Sequence, residues 1–296
     1  MTKKISRRAA LGLAGGVAVG AATIGLSTAD AARRGKGDGK GDGKGDGAGG
    51  AQPRAAGPWV RLAVVTANIG RKHLDQREAA ITAVRHQSDG TPPMVGWQEI
   101  GEGPNDTGEP SMIRQHFGDQ YTHMFLNDPQ SPREPISVPR PWTVVGHTNV
   151  FVHEGIADIT PPRWINEVVV QHETMPDLQF VIMNTHYIAR AYVGPQRDDL
   201  KPYWNHHHDV HAQRVLERHQ NQHLPVIWTA DTNRNDYGTA TGWQAEGAAF
   251  GSGLDRVDWL TTNKVDIELL NTNIVPMHVD DDHNAKVAIF RIRLAA

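Results

Sequence analysis

The stretch VIWTADTN at residues 226–233 joins an apolar, β-branched run to a polar end that contains Asp231 and Asn233. A short run of Val, Ile, Trp and Thr predicts a buried strand over residues 226–229. A carboxylate and an amide come directly after it, at the point where the strand leaves the core. The stretch therefore predicts a strand of a buried sheet that ends in a polar site.

Further polar residues follow or interrupt apolar runs elsewhere in the chain. They are Asn68 in VVTANIG, Glu99 in MVGWQEI, His186 in VIMNTHY, Asp258 in RVDWL, and Asp282 with His283 in DDHNAKVAIF. We expect the fold to gather these side chains at one edge of its sheets. Carboxylates, amides and imidazoles in one place suit divalent-metal and phosphate chemistry, so the pattern indicates an enzyme.

The remaining apolar periodicity predicts alternating strands and helices. Helices are predicted at 74–84, 111–117 and 207–222, and strands at 60–69, 94–98, 121–126, 148–153, 164–171, 178–184, 226–229, 256–260, 267–274 and 286–293. Consecutive strands around 148–184 and 256–293 suggest hairpins, so the sheets are expected to be mixed. A Pro-rich loop is predicted from 128 to 141, and the adjoining Trp142 is a candidate for stacking on a base or a lipid headgroup.

The order of the polar motifs resembles that of one superfamily. The motifs are T-x-N-I at 66–69, W-Q-E at 97–99, N-T-H at 184–186, D-x-N at 231–233, V-D-W-L at 257–260 and D-H at 282–283. One triplet alone is weak, but this series spans nearly the whole predicted domain. It resembles the endonuclease/exonuclease/phosphatase superfamily, which includes DNase I-like nucleases, neutral sphingomyelinases and inositol-polyphosphate 5-phosphatases. The resemblance implies an α/β fold of four layers, with two mixed β-sheets face to face and helices outside.

The resemblance also implies roles for the motif residues. Glu99 would be the main ligand of Mg²⁺ or Mn²⁺, with Ca²⁺ possible, and Asn68 and Asp282 would lie beside it. Asp258 would accept a hydrogen bond from His283 and raise its basicity, so that His283 acts as a base or a phosphate clamp. The other catalytic roles fall to Asp231, which would orient the attacking water, Asn233, which would donate to phosphate, and His186, which would bind phosphate or assist the leaving group. Arg190 and Arg234 follow motif residues and are expected to contact substrate.

Some positions depart from the superfamily pattern. Ala230 and Thr232 stand where the superfamily usually has a glycine and an aromatic residue. In the nucleases a glutamate orients the N-T-H histidine, and three glutamates lie in the corresponding interval, namely Glu134, Glu154 and Glu167. Among the other histidines, His207 and His211 are one helical turn apart. They could bind Zn²⁺, but a solvated start of a helix is the preferred interpretation.

The N-terminal region has the pattern of an export signal followed by a linker. Arg7 and Arg8 follow two lysines and precede a weakly apolar run at 9–26, and a small-x-small site lies at 29–31. Residues 1–31 therefore resemble a twin-arginine signal peptide that is expected to be removed, with a retained membrane anchor as the alternative. Residues 32–58 repeat Gly-Lys-Gly-Asp and predict a disordered linker. Residues 59–296 then form the catalytic domain.

Composition limits the chemistry and the partners. The 296-residue chain has no cysteine, so a metal would need oxygen and imidazole ligands. Residues 59–296 contain 20 basic and 29 acidic residues, a net charge of −9. Contact with nucleic acid would then depend on a local basic patch or on bound cations.

These observations together predict a secreted, divalent-metal-dependent phosphodiesterase. A nuclease is the preferred function, and a sphingomyelinase or phospholipase C-like enzyme is the alternative with the same chemistry. A non-catalytic binding module of the same fold is the alternative from another class. The expected partners are a phosphodiester substrate, either nucleic acid or a phospholipid headgroup, and the twin-arginine export machinery. No stable protein partner is implied, and we expect a monomer.

Overall fold

The computed structural model describes residues 55–70, 72–87, 89–101, 108–126, 128, 133–280 and 282–296. The predicted signal peptide and the predicted linker as far as residue 54 lie outside the described residues. Residues 55–58 of that linker are described. There the backbone N–H of Gly57 donates to the carbonyl of Leu294, with an N–O distance of 3.0 Å.

Strands make up most of the described chain. They are β1 (Val60–Asn68), β2 (Pro93–Gln98), β3 (Tyr121–Met124), β4 (Ile136–Pro139), β5 (Trp142–His153), β6 (Arg163–His172), β7 (Met175–His186), β8 (Val226–Asp231), β9 (Gly247–Ala248), β10 (Asp255–Leu260), β11 (Val265–Val275) and β12 (Ala285–Leu294). The α-helices of the described residues are α1 (Arg77–Arg85), α2 (Glu109–Phe117) and α3 (Lys201–Leu216), and a π-helical turn at Glu217–Asn221 continues α3.

The strands form two six-stranded sheets. The first has the order β11-β12-β1-β2-β4-β3 and the second β5-β6-β7-β8-β10-β9. In each sheet one pair is parallel, β1 with β2 and β7 with β8, while β12 and β10 run antiparallel to their neighbours β1 and β8. The predicted mixed sheets are confirmed.

Three apolar clusters define the layers of the sandwich. One lies between the sheets and includes Leu62 and Phe290 from the first sheet and Phe180 and Ile227 from the second. Another covers the outer face of the first sheet with residues of α1 and α2, and the third covers the second sheet with residues of α3. Burial of both faces explains the nearly continuous apolar runs of β1, β2 and β8. The four-layer α/β sandwich with two facing mixed sheets is therefore confirmed.

Three local predictions were wrong. The predicted loop at 128–141 contains β4, which pairs with β3 and with the middle of β2. Trp142 begins β5 and is buried, and its ring packs edge-on against Phe180 with centroids 5.0 Å apart. Helix α3 begins at Lys201 rather than at 207, so His207 and His211 lie on its buried face instead of in solvent.

None of the helices among the described residues is long and apolar enough to cross a membrane.

Candidate active site

Strand direction brings the polar motifs to one edge of the sandwich. Parallel β1 and β2 end in register at Asn68 and Gln98, and Glu99 follows. In the second sheet, parallel β7 and β8 end in register at His186 and Asp231. The antiparallel strands β10 and β12 begin at this edge. The first residue of β10, Asp255, pairs with Asp231, and His283 lies two residues before β12.

Asp231 is at the centre of the site and is 1 % exposed. Its Oδ2 atom lies 3.2 Å from Nε2 of His186 and accepts a hydrogen bond from Nδ2 of Asn68 at 2.9 Å. The backbone N–H of Asn233 donates to Oδ1 at 2.8 Å. Burial alone would raise the pKa of Asp231, but the charges of His186 and His283 outweigh it and hold the pKa below its usual value. Asp231 is therefore an ionised carboxylate.

His283 faces Asp231 from the first sheet. Its Nε2 atom is 3.8 Å from Oδ2 of Asp231, and its Nδ1 atom is 3.2 Å from Oδ2 of Asp255. Burial lowers the pKa of His283, yet the charges of Asp255 and Asp231 raise it to about 10. At neutral pH the ring is thus an imidazolium whose Nδ1–H is held by Asp255.

The predicted hydrogen bond between Asp258 and His283 is wrong. Asp258 instead accepts from Nη2 of Arg256 at 3.0 Å, and burial raises its pKa to about 7 although Arg256 opposes this. Because β10 enters at the polar edge, only its first residue can reach His283, and Asp258 is three residues, or about 10 Å, further along the strand. Asp255 was missed by sequence reasoning. The available signal was its position at the start of the DRVDWL run, three residues before Asp258.

The predicted metal ligands Asn68 and Glu99 lie side by side, whereas Asp282 is exposed on the loop before β12. Nδ2 of Asn68 donates to Oε1 of Glu99 at 3.3 Å, and Oδ1 of Asn68 accepts from the N–H of Gly70 at 2.9 Å. Glu99 adopts a left-handed backbone with φ 64°. The backbone N–H of Asp282 donates to Asp280 at 3.2 Å.

The donor set of the site fits a hard divalent cation. Ligand atoms of Asp231, Asp255 and His283 all lie within 4.8 Å of one another. Glu99 and Asp231 both accept a hydrogen bond from Nδ2 of Asn68, so their carboxylates lie close together around that nitrogen. Carboxylate oxygens are suitable ligands for Mg²⁺ or Mn²⁺, whereas His283, an imidazolium at neutral pH, contributes positive charge and not a ligand atom.

Buried hydrogen bonds behind the site hold the two sheets together. Oδ1 of Asn184 accepts from Gln98 at 2.6 Å and from Thr229 at 3.0 Å, while its Nδ2 donates to the carbonyl of Trp97 at 2.7 Å. The sheets approach closely at Gly96, where a Cβ would lie 1.9 Å from Oγ1 of Thr229. This network fixes the position of Glu99, which follows β2, relative to His186 and Asp231 at the ends of β7 and β8.

The glutamates considered as partners of His186 have other roles. Glu134 pairs with Arg163 at 3.2 Å, and Glu167 pairs with both Arg214 and Arg218. Glu154 is exposed. Nδ1 of His186 is buried and has no hydrogen-bond partner among the described residues. The ring is therefore oriented through Nε2, which contacts Asp231 and the amide of Asn233.

The two residues that depart from the superfamily pattern, Ala230 and Thr232, have defined packing and hydrogen-bond partners. Ala230 is fully buried in the apolar cluster under α3. Oγ1 of Thr232 donates to the carbonyl of Leu254 at 2.9 Å, which ties the D-x-N loop to the segment before β10. The substitutions are therefore accommodated without disturbing Asp231.

The two arginines predicted to contact substrate differ in how their side chains are held. Arg190 is exposed, has φ 63°, and forms no side-chain hydrogen bond or ion pair within the described ranges. The guanidinium of Arg234 lies over the ring of Tyr192 at 4.3 Å and pairs with Asp236 at 2.8 Å. Arg190 is thus the freer cation, and Arg234 is held in place.

No family model matches the sequence, and no curated protein matches it either. Solved structures do share its fold. A humanized D. rerio TDP2 with 14 mutations has a TM-score of 0.57 at 13% identity, covering 78% of this chain and 98% of that one. An endonuclease/exonuclease/phosphatase family protein from Bacteroides thetaiotaomicron has a TM-score of 0.54 at 14% identity, and the match covers 79% of this chain and 96% of that one. The human Nocturnin catalytic domain with bound sulfate anion has a TM-score of 0.52 at 15% identity, and the match covers 79% of this chain and 97% of that one.

At these identities the comparisons establish the fold alone. The two facing six-stranded sheets, with helices on the outside, are the DNase I-like α/β sandwich that these structures share.

Proposed function

We propose that this chain is a divalent-metal-dependent phosphodiesterase that acts on nucleic acid and is exported from the cell. The observation that carries the proposal is the convergence of two buried histidines from different sheets on the single carboxylate of Asp231. A buried acid with two imidazole partners, beside a further carboxylate at Glu99, is costly to maintain in a merely structural role. The sulfate anion in the Nocturnin catalytic domain supports an oxyanion ligand for this fold.

The residues divide the work of phosphodiester hydrolysis. Asp231 is ionised and accepts hydrogen bonds, so it can orient an attacking water and accept a proton from it. His283 presents Nε2 to the site while Asp255 fixes Nδ1, so its positive charge can stabilise the non-bridging oxygens. His186 lies on the other side of Asp231, where it can support the leaving oxygen. A divalent ion held by Glu99, with Asp231 close by, would neutralise phosphate charge and acidify water.

Nucleic acid is the proposed substrate because cations lie near the site in an otherwise acidic domain. Arg190 is exposed and unpaired among the described residues, four positions after His186. Arg234 follows Asn233 directly and is held over an aromatic ring. These two arginines can contact phosphate groups that the net charge of −9 over residues 59–296 would otherwise repel.

The test is a substrate panel assayed with Mg²⁺, Mn²⁺, Ca²⁺ and EDTA. Plasmid DNA, RNA, sphingomyelin and bis(p-nitrophenyl) phosphate separate the substrate classes. We expect metal-dependent hydrolysis of nucleic acid that EDTA abolishes. Turnover of sphingomyelin alone would favour the lipid-directed alternative, and no turnover with any metal would favour the binding module.

Variants then link the activity to the site. We expect Glu99→Ala and His283→Ala each to lower kcat by about 10²–10⁴-fold, because each removes charge stabilisation or proton transfer in the transition state. His86→Ala is the matched control, since His86 is exposed at the end of α1. Circular dichroism confirms folding of each variant. Full activity in either site variant contradicts the proposed function.

A further inference from the structure

A small cleft adjoins the candidate active site on the side of His283. Its volume is about 220 Å³, and its wall includes Asp255, Lys286, Asn284, Asn235 and Asp282. Asp255 also contacts His283, so the cleft and the active site share a wall. Sites for drug-sized ligands measure roughly 300–1,000 Å³, so this cleft suits one small group of a larger substrate.

The ammonium group of Lys286 lies at this cleft and is incompletely paired. Its Nζ atom donates to the carbonyl of Ser252 at 3.1 Å and lies 5.1 Å from the ring centroid of Phe250. Within the described ranges it forms no ion pair with a carboxylate. An ammonium has three donors, so the single hydrogen bond to Ser252 leaves capacity for a ligand.

The loop before β10 is shaped around this ammonium. Gly253 has φ 106°, a conformation that favours glycine, and a Cβ at this position would lie 2.4 Å from Nζ of Lys286. The absence of a side chain at Gly253 leaves room for the ammonium beside the backbone of this loop, where the carbonyl of Ser252 accepts its hydrogen bond.

Two carboxylates in the wall of the cleft would repel a bound anion. Asp255 is already hydrogen bonded to His283 at 3.2 Å, so its charge is partly satisfied. Asp282 is exposed to solvent, which screens its charge. A ligand with only one weak charge would gain little here, whereas a phosphate can use the free donors of the ammonium.

We propose that Lys286 forms a subsite for a second phosphate, one that adjoins the scissile phosphoester as successive phosphates do along a nucleic-acid strand. The proposal rests on the proposed function and specifies its substrate class. It distinguishes polynucleotides, which carry a neighbouring phosphate, from headgroup esters with one phosphate.

The first experiment measures binding and requires no turnover. Calorimetry compares thymidine 3′,5′-bisphosphate with thymidine 3′-monophosphate, in EDTA and in Ca²⁺. We expect the wild-type protein to prefer the bisphosphate by about tenfold, the effect of one charge-assisted hydrogen bond, and Lys286→Gln to abolish that preference. Lys264→Gln removes the same charge from an exposed position ahead of β11 and should retain it. No preference in the wild-type protein, or a preference retained by Lys286→Gln, overturns the proposal.

The second experiment measures hydrolysis of thymidine di- and trinucleotides. We expect Lys286→Gln to raise the ratio of the trinucleotide KM to the dinucleotide KM by about tenfold, because only the trinucleotide has a second phosphate. An unchanged ratio contradicts the subsite. A wild-type protein that binds the bisphosphate as expected, yet hydrolyses neither the oligonucleotides nor plasmid DNA nor RNA, would refute the proposed function and support the anion subsite.

Discussion

Replacement of Asp255 by asparagine tests how the fold tunes His283. The carboxylate of Asp255 lies 3.2 Å from Nδ1 of His283 and is 2 % exposed, so little solvent screens the pair. A hydrogen bond to a charged group contributes about 1.5–3 kcal/mol. At 1.36 kcal/mol per pKa unit, its loss corresponds to about 1–2 units. We therefore expect Asp255→Asn to lower the pKa of His283 from about 10 to about 8–9.

The same pair makes stability depend on pH. The pKa of His283 is higher in the folded protein than its unfolded value of about 6.5. Its stabilising effect is complete below pH 6.5 or so and is lost as the pH rises through about 10. We expect the free energy of unfolding to decrease over this interval, and to decrease less in Asp255→Asn. In the substrate assay we expect kcat/KM of the same variant to fall by about 10–100-fold, because that factor corresponds to the free energy of the lost hydrogen bond.

The assay is an NMR titration of the imidazole nitrogens in EDTA, with urea unfolding at pH 6 and pH 9. Asp258→Asn is the matched control because it removes a buried carboxylate of the same strand whose partner is Arg256. At pH 9, where Asp258 with its pKa of about 7 is ionised, that control should lose up to about 3–5 kcal/mol of stability, since Arg256 stays buried without a carboxylate partner. It should leave the pKa of His283 near its original value. An equal fall of that pKa in both variants, or no fall in Asp255→Asn, would refute the reasoning.

Two further predictions concern the interior. Gly96→Ala should destabilise the protein by about 3 kcal/mol or more, because the new Cβ would lie 1.9 Å from Oγ1 of buried Thr229. Thermal unfolding measures the loss. The control is Gly251→Ala, whose new Cβ meets no atom within 4 Å. Burial lowers the pKa of His211 to about 3, so its neutral form stabilises the fold above pH 6.5 or so, and this is lost on acidification. We expect wild-type stability between about pH 6 and 4 to fall more steeply than that of His211→Asn, by about 1.4 kcal/mol per pH unit; equal slopes in urea unfolding would contradict this.

Most of the fold could be predicted because its strands are buried on both faces. Residues of β1, β2 and β8 read as apolar runs, and the polar residues that end them mark the edge of the sheet. The short strand β4 was not predictable in this way. Prolines flank it, and its partner β2 lies two strands earlier in the chain, so its extended backbone depends on tertiary contacts.

The histidines of α3 show the same limit for side chains. Spacing placed His207 and His211 on one helical face, but it could not show which face would be buried. The structure packs the ring of His207 on Tyr187, with centroids 4.0 Å apart, and Nδ1 of His211 contacts the hydroxyl of Tyr187 at 2.9 Å. Their burial follows from the docking of α3 on the second sheet.

The sequence by itself determined the alternation of strands and helices, the order of the polar motifs, and the residues that end the parallel strands, Asn68, His186 and Asp231. A strand that exits the core at its carboxyl end carries its polar signal in adjacent positions, so local pattern suffices. The tertiary structure decided that Asp255 rather than Asp258 holds His283, because a strand that enters the same edge presents its first residue there. Strand direction depends on pairing between distant segments, and local sequence does not encode it.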